Sequence, residues 1–138
     1  MTRVVIDASV TLAWCFEDEQ EAYANKVGKK ITELELVTAS VWPLELANAL
    51  LIAERRRRVG AAGIANIRSL LLGLDVEVAS ADLRRSLNEI VNLGRLYSLT
   101  AYDAEYLDVA MQQSLPIATL DSELRAASAA AGVALFTP

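Results

Sequence analysis

Short aliphatic runs alternate along this chain with longer stretches in which apolar residues recur every three or four positions. The first, "RVVID", predicts a strand ending at Asp7. A helical stretch, the acidic "EDEQEA" and a helix reaching about Ile31 follow it, before "LELVTA" predicts a second strand. "VWPLELANALLIAERRRR" has the length and periodicity of a strong helix, with Pro43 well placed in its first turn. Gly60 and Gly63 interrupt the chain before another helix that ends near Leu72. "LDVEVA" predicts a third strand, and Ser80 is placed to cap the helix "ADLRRSLNEIVNLG". Thr100 opens the next helix, "LPIATL" predicts a fourth strand, "SELRAASAAAG" a helix and "VALFT" a fifth strand.

Strands alternating with helices at this spacing imply parallel β-α-β units, some with paired helices in the crossover. The expected fold is α/β, a three-layer α/β/α sandwich around a central, mainly parallel five-stranded sheet. No linker, low-complexity tract or repeat divides the chain, so residues 1–138 are expected to form a single domain. Apolar residues make up 54% of the chain, enough for elements buried on several sides. There is no run of about 18 uncharged apolar residues and no signal-peptide pattern at the N-terminus. Cys15 is the one cysteine, which rules out a disulfide framework. A cytoplasmic protein with no membrane association is the expectation.

The absence of histidine removes Ser-His-Asp and Cys-His catalysis and ordinary His/Cys zinc sites. Any catalysis has to rest on carboxylates, hydroxyls, Lys, Tyr or a metal. Eighteen acids against thirteen bases give a net charge of −5, the wrong sign for a general nucleic-acid binder unless the acidity is concentrated and neutralised.

Four acids stand out by position. Asp7 and Asp121 end the first and fourth predicted strands, which places them at the carboxyl edge where sites form in open parallel sheets. Glu45 is the one charge inside "LVTASVWPLELANALLIA", a helix apolar on nearly every side. Asp103 shares a helical face with Leu107, Ala110 and Met111, whereas Glu105 and Asp108 point elsewhere. Each acid also has an ordinary explanation. Asp7 and Asp121 are placed to cap the following helices, Glu45 lies in a first turn that favours acids, and Thr100 with Asp103 fits a capping box. Taken together, four acids at strand ends and first turns converge on one edge, where like charges raise one another's pKa unless a cation is present. Oxygen-only ligands select Mg²⁺, with Mn²⁺ able to substitute, over zinc or copper. Asn48, one turn after Glu45, and Thr119, two residues before Asp121, are candidate supports.

"VVIDASV", "PLELANAL", "LTAYDAEYLDVA" and "IATLDSELRAAS" together resemble the PIN domain, most closely the VapC-type toxins of bacterial toxin–antitoxin pairs. The resemblance spans essentially the whole chain, in the family's order and spacing. It implies a metal-dependent endoribonuclease whose acidic residues map onto Asp7, Glu45, Asp103 and Asp121, with Ser9 supporting the first acid. It also implies a small antitoxin partner and a homodimer. The chemistry expected is in-line hydrolysis of RNA phosphodiesters with one or two Mg²⁺ held by the four acids. Asp7 and Asp103 would be direct ligands, and Asp121 would bind a second metal or act through water.

Arg55 to Arg58 lie at the far end of the Glu45 helix, a solvated end or a contact for RNA or antitoxin. Arg84, Arg85, Arg95 and Arg125 are scattered, and the sequence does not aim them. Trp14, Phe16 and Trp42 are expected in core or interface, Cys15 as a small buried hydrophobe, and Tyr102 in packing or substrate contact. A phosphotransfer receiver needs a phospho-accepting Asp after the third strand, where Ser80 and Ala81 stand; a haloacid-dehalogenase-type phosphatase needs a second Asp at position 9, which is Ser. The remaining alternatives are a PIN-like protein that binds RNA or a partner without cutting, and a nuclease directed at DNA.

Overall fold

Val4, Val5 and Ile6 are fully buried in strand β1 (Thr2–Ile6), an interior strand of a parallel sheet. A strand covered on both faces has no polar side to expose, which is why its sequence is a continuous aliphatic run. The computed structural model describes residues 1–19 and 21–138; Gln20, within the acidic stretch, lies outside the described residues. Strand β2 (Leu34–Thr38) pairs with β1 from Thr2↔Leu34 to Val5↔Val37, and β3 (Val76–Val78) pairs outside β2. Strand β4 (Ile117–Ala118) pairs with the other side of β1 through Val5↔Ile117 and Ile6↔Ala118. The order is β3-β2-β1-β4, all parallel.

Helices α1 (Ala8–Cys15) and α2 (Ala22–Lys29) link β1 to β2; α3 (Trp42–Arg55) and α4 (Ala61–Leu72) link β2 to β3. The return to β4 runs through α5 (Leu83–Arg85), a π-helical turn at Ser86–Ile90, α6 (Val91–Tyr97) and α7 (Ala101–Gln113), and α8 (Ser122–Ala130) follows β4. The β1-to-β2-to-β3 steps and the β3-to-β4 step move across the sheet in opposite directions. Right-handed crossovers therefore place α1–α4 on one face and α5–α7 on the other. The contacts agree: α1 packs on α2 and α3, and α3 on α4, whereas α6 and α8 both pack on α7. The direction of winding reverses between β1 and β4, and the crevice beyond their carboxyl ends is the usual ligand position in such sheets.

Several expectations change. Four strands form among the described residues rather than five: the segment 133–137 makes one isolated bridge, Ile117↔Leu135. Its partner β4 is two residues long because the chain beyond Ala118 turns to serve Asp7, so no longer ladder is available. Asp82, not Ser80, caps α5, accepting from the Arg84 amide. The helical rod from there runs past Gly94 to Tyr97, and Ser98 ends it in the left-handed conformation. Gly63 lies inside α4, and Gly60 is its N-cap. Helix α3 is not buried all round: Leu44, Leu51 and Ile52 are exposed. Met111, expected on the inward face of α7, is 41% exposed, because it stands at the margin of the stripe that buries Leu107 and Ala110.

The aromatic side chains pack largely as expected. Trp42 is buried and its indole N–H donates to Thr11 Oγ1 at 3.0 Å, tying α3 to α1. Trp14 donates to the Ala24 carbonyl at 2.7 Å, over Gly28, where an added Cβ would meet its Nε1 at 3.1 Å. Phe16 is buried, with the Arg58 guanidinium over its ring. Cys15 is half-buried rather than fully buried, and burial pushes its thiol up to about 11. Tyr102 is exposed. No helix among the described residues is long and apolar enough to cross a membrane.

Candidate active site

Asp7 is the first residue beyond β1 and the N-cap of α1. Its Oδ1 accepts from the Val10 amide at 3.2 Å and from Ser9 Oγ at 2.6 Å, and its Oδ2 accepts from Thr119 Oγ1. Both hydroxyls are held in turn. Ser9 Oγ accepts from the Leu120 amide at 2.9 Å, and Thr119 Oγ1 from the Asp121 amide at 3.0 Å. The β4–α8 turn is thereby stitched to the end of β1 around one carboxylate. Burial pushes the Asp7 carboxyl above its ordinary value, its hydrogen bonds oppose the rise, and the charge of Asp121 adds to it.

Asp121 lies three residues beyond β4 rather than at its end, and it is the N-cap of α8. Its Oδ1 takes the Glu123 and Leu124 amides, at 2.9 and 3.5 Å, which leaves Oδ2 without a backbone donor. Thr119 reaches Asp121 through the backbone amide, while its hydroxyl hydrogen goes to Asp7.

Asp103 occupies the first turn of α7, where its amide donates to Thr100 Oγ1 at 3.2 Å; the Thr100 half of the expected capping box is present. Its carboxyl is pushed up to about 6, first by burial, then by the charge of Asp121 and a hydrogen bond with it, then by the charges of Glu45 and Asp7. Glu45 comes from the opposite face of the sheet, in the first turn of α3, and its Oε1 accepts from the Tyr106 hydroxyl at 2.7 Å. Burial also raises the Glu45 carboxyl; the Tyr106 bond counters the rise, and the charges of Asp7 and Glu105 add to it.

The four sequence-predicted acids thus lie within one another's fields at the switch point of the sheet, on four different elements. Ser9 and Thr119 lock the first of them. Asn48 does not join: it is exposed and makes no hydrogen bond to these carboxylates among the described residues. Two further residues contribute that the sequence did not single out. Tyr106 is 1% exposed and grips Glu45 from across the sheet edge. It stands one helical turn after Asp103, so the periodicity of α7 contained the signal. Glu105 does point away from Asp103, as expected. Its carboxylate accepts from Ser40 Oγ at 2.7 Å and from the Val41 amide at 2.9 Å, capping α3, whose own N-cap residue offers no side-chain bond. Consecutive residues of α7 therefore aim the helix that carries Glu45 and hold Glu45 itself. Asp108 is buried on another face, bound by Arg85 and by Gln112 at 2.9 Å.

No salt bridge among the described residues involves Asp7, Glu45, Asp103 or Asp121. Three of them keep acceptor capacity: Asp121 Oδ2 and Glu45 Oε2 lack backbone donors, and three bonds leave one of about four lone-pair sites on Asp7. Among the described residues, no three acids, histidines or cysteines enclose a point able to hold a metal ion by themselves. An all-oxygen set with one or two carboxylates per ion, completed by water, fits Mg²⁺, which dehydrates reluctantly.

The PIN domain family's sequence pattern matches residues 4–130 of the chain. No curated protein sequence matches it. Among solved structures, PAE2754 from Pyrobaculum aerophilum is 27% identical, with a TM-score of 0.64 over 91% of this chain and 86% of that one. VapBC2 from Rickettsia felis, bound to a DNA fragment from its promoter, is 11% identical, with a TM-score of 0.66 over 98% of each chain. VapC20 from Mycobacterium tuberculosis, described as a Sarcin-Ricin loop cleaving toxin, is 16% identical, with a TM-score of 0.66 over 98% of this chain and 99% of that one. The family pattern covers β1 through α8 and so takes in all four acids at the carboxyl edge: the chain belongs to the PIN domain family.

Proposed function

We propose that this protein is a Mg²⁺-dependent endoribonuclease and the toxin of a toxin–antitoxin pair. The observation that carries the reading is the convergence of Asp7, Glu45, Asp103 and Asp121, three of them with raised affinity for protons and none paired with a cationic side chain among the described residues. A proton or a metal ion relieves the same repulsion, and at neutral pH the metal is the stronger competitor. Asp7 and Asp103 would be direct ligands, Glu45 would complete the site, and Asp121 would serve a second ion or act through water. A divalent cation there supplies an activated water and neutralises charge on the leaving oxygen. The chain's own contribution is orientation. Ser9 and Thr119 fix the Asp7 rotamer, Tyr106 fixes Glu45, and Glu105 fixes the start of α3.

The toxin reading draws on the structural neighbours, which include FitAcB from Neisseria gonorrhoeae, a toxin–antitoxin complex from Klebsiella pneumoniae and the VapBC2 complex. Exposed apolar side chains on this chain offer places for both expected partners. Leu44, Leu51 and Ile52 of α3 are the exposed apolar side chains we assign to a small antitoxin. Leu83 and Leu87, one turn apart on the α5–α6 rod, are the exposed apolar side chains we assign to a second copy. A cytoplasmic location and a single domain over residues 1–138 belong to the same proposal.

The test is incubation of a mixed structured RNA with Mg²⁺, Mn²⁺ or chelator, beside Asp103→Asn. Cutting that needs metal and is lost in the variant supports the nuclease. Binding without cutting makes the protein a PIN-like binding module, and equal cutting of DNA makes the substrate assignment wrong.

A further inference from the structure

Four carboxylates at one edge repel the phosphates of any strand that approaches, so beside a metal the site needs at least one fixed cation. The basic side chains in ion pairs are committed elsewhere. Arg3 pairs with Glu35 and Glu77, Lys30 with Glu33, Arg58 with Asp18 and Glu19, and Arg85 with Asp108 and Glu89. The Arg55–Arg58 run is exposed at the C-terminal end of α3, and Arg58, its one member in an ion pair among the described residues, is spent on Asp18 and Glu19. Arg125 is different. It lies one turn after Asp121 on α8, and its Nε–H donates at 2.7 Å to the carbonyl of Thr119, the residue whose hydroxyl holds Asp7.

The guanidinium also lies over the Tyr23 ring, 4.7 Å from its centroid, and the Tyr23 hydroxyl is anchored at 2.7 Å on the Phe136 carbonyl. One nitrogen and one face of the guanidinium are thus fixed, while the side chain as a whole is only partly buried. It makes no ion pair with a carboxylate among the described residues. Arginine's planar fork matches phosphate oxygens through two parallel N–H bonds, and holding it rigidly in advance reduces the entropy lost on binding.

We propose that Arg125 binds a backbone phosphate of the RNA strand next to the scissile bond, with Thr119 and Tyr23 aiming its free nitrogens. The proposal rests on the nuclease reading for its substrate. Its own content is that Arg125 supplies binding at the carboxyl edge, not chemistry.

The experiment compares wild type, Arg125→Gln and Arg125→Lys with a labelled single-stranded RNA in Mg²⁺. Single-turnover cleavage gives the half-saturating protein concentration and the maximal rate, and fluorescence anisotropy at several KCl concentrations gives the salt slope. Arg125→Gln should raise the half-saturating concentration roughly five- to tenfold, keep the maximal rate within about twofold, and lower the salt slope by about 0.7. Arg125→Lys retains the charge but loses the fork and the Nε–H bond to Thr119, so it should keep the wild-type salt slope while recovering only part of the binding. If Arg125 only tethers the α8 turn, Lys and Gln fail alike and the salt slope stays put; that result overturns the proposal. Cleavage absent in all three proteins, with the slope still lowered in Gln, overturns the nuclease reading and leaves Arg125 as a phosphate contact. Wild-type protein that neither binds nor cuts RNA overturns both.

Discussion

Replacing Asp103 with asparagine should make the metal-free protein more stable at neutral pH while abolishing its proposed activity. The Asp103 carboxyl is raised from 3.8 to about 6, so the folded chain holds this proton more tightly than the unfolded chain does. Its stabilising effect is therefore fully present below about pH 4 and is lost as pH rises through about 6. A rise of about two pH units corresponds to roughly 3 kcal/mol at about 1.4 kcal/mol per unit. The group is only half-buried, and solvent screening lowers this to about 1–2 kcal/mol. Asparagine mimics the protonated acid and can still donate to Asp121, but it forfeits the benefit of a negative charge in the first turn of α7, about 0.3–1 kcal/mol. The net expectation is a gain of about 1 kcal/mol at pH 7.5 that disappears by pH 4. Urea unfolding in chelator at pH 4, 6 and 7.5 measures it. With Mg²⁺ at 100 times its dissociation constant, the wild type should instead gain about 2.7 kcal/mol and overtake the variant. A variant less stable than wild type in chelator at pH 7.5, or an advantage independent of pH, would refute the claim that burial and the neighbouring acids raise the Asp103 carboxyl in the free protein.

The other expectations follow from single contacts. Tyr106→Phe removes the one hydrogen bond on the Glu45 carboxylate among the described residues, and should lower the cleavage rate about tenfold and raise the Mg²⁺ concentration required, with a stability loss of about 1 kcal/mol in thermal unfolding. Conversely, an unchanged metal requirement would show that Glu45 does not need aiming. Asp7→Asn should reduce cleavage by at least about a hundredfold. It should change stability by less than about 1 kcal/mol, because a weakened hydrogen bond offsets relieved burial of charge, and induced expression of this variant should no longer arrest growth. Arg85→Ala leaves buried Asp108 with Gln112 alone, and should lower stability by about 1–2 kcal/mol in urea titrations without altering the maximal cleavage rate.

How far the sequence reached is clearest at particular residues. The aliphatic runs ending near Asp7 and Asp121, and the alternation of strand and helix, defined an α/β fold and put acids at the carboxyl edge, because hydrophobic period and capping chemistry are local properties. The same locality set its limits. "VALFT" has the composition of a strand, but only tertiary structure showed that β4 ends after two residues, since Thr119 turns away to bind Asp7. The apolar character of α3 predicted burial, yet Leu44 is 72% exposed; nothing in the run reveals that one face of the helix stays uncovered among the described residues.

The roles of Glu105 and Arg125, and the partner that Tyr106 holds, lay beyond the sequence for a common physical reason. Each acts on a group far away in sequence or on another element: Glu45 lies 61 positions from Tyr106, and Val41 lies 64 from Glu105. The sequence alone supplied the acids and their family resemblance. Tertiary structure decided which side chains hold them, because a hydrogen bond requires angles and distances that only packing across the sheet provides.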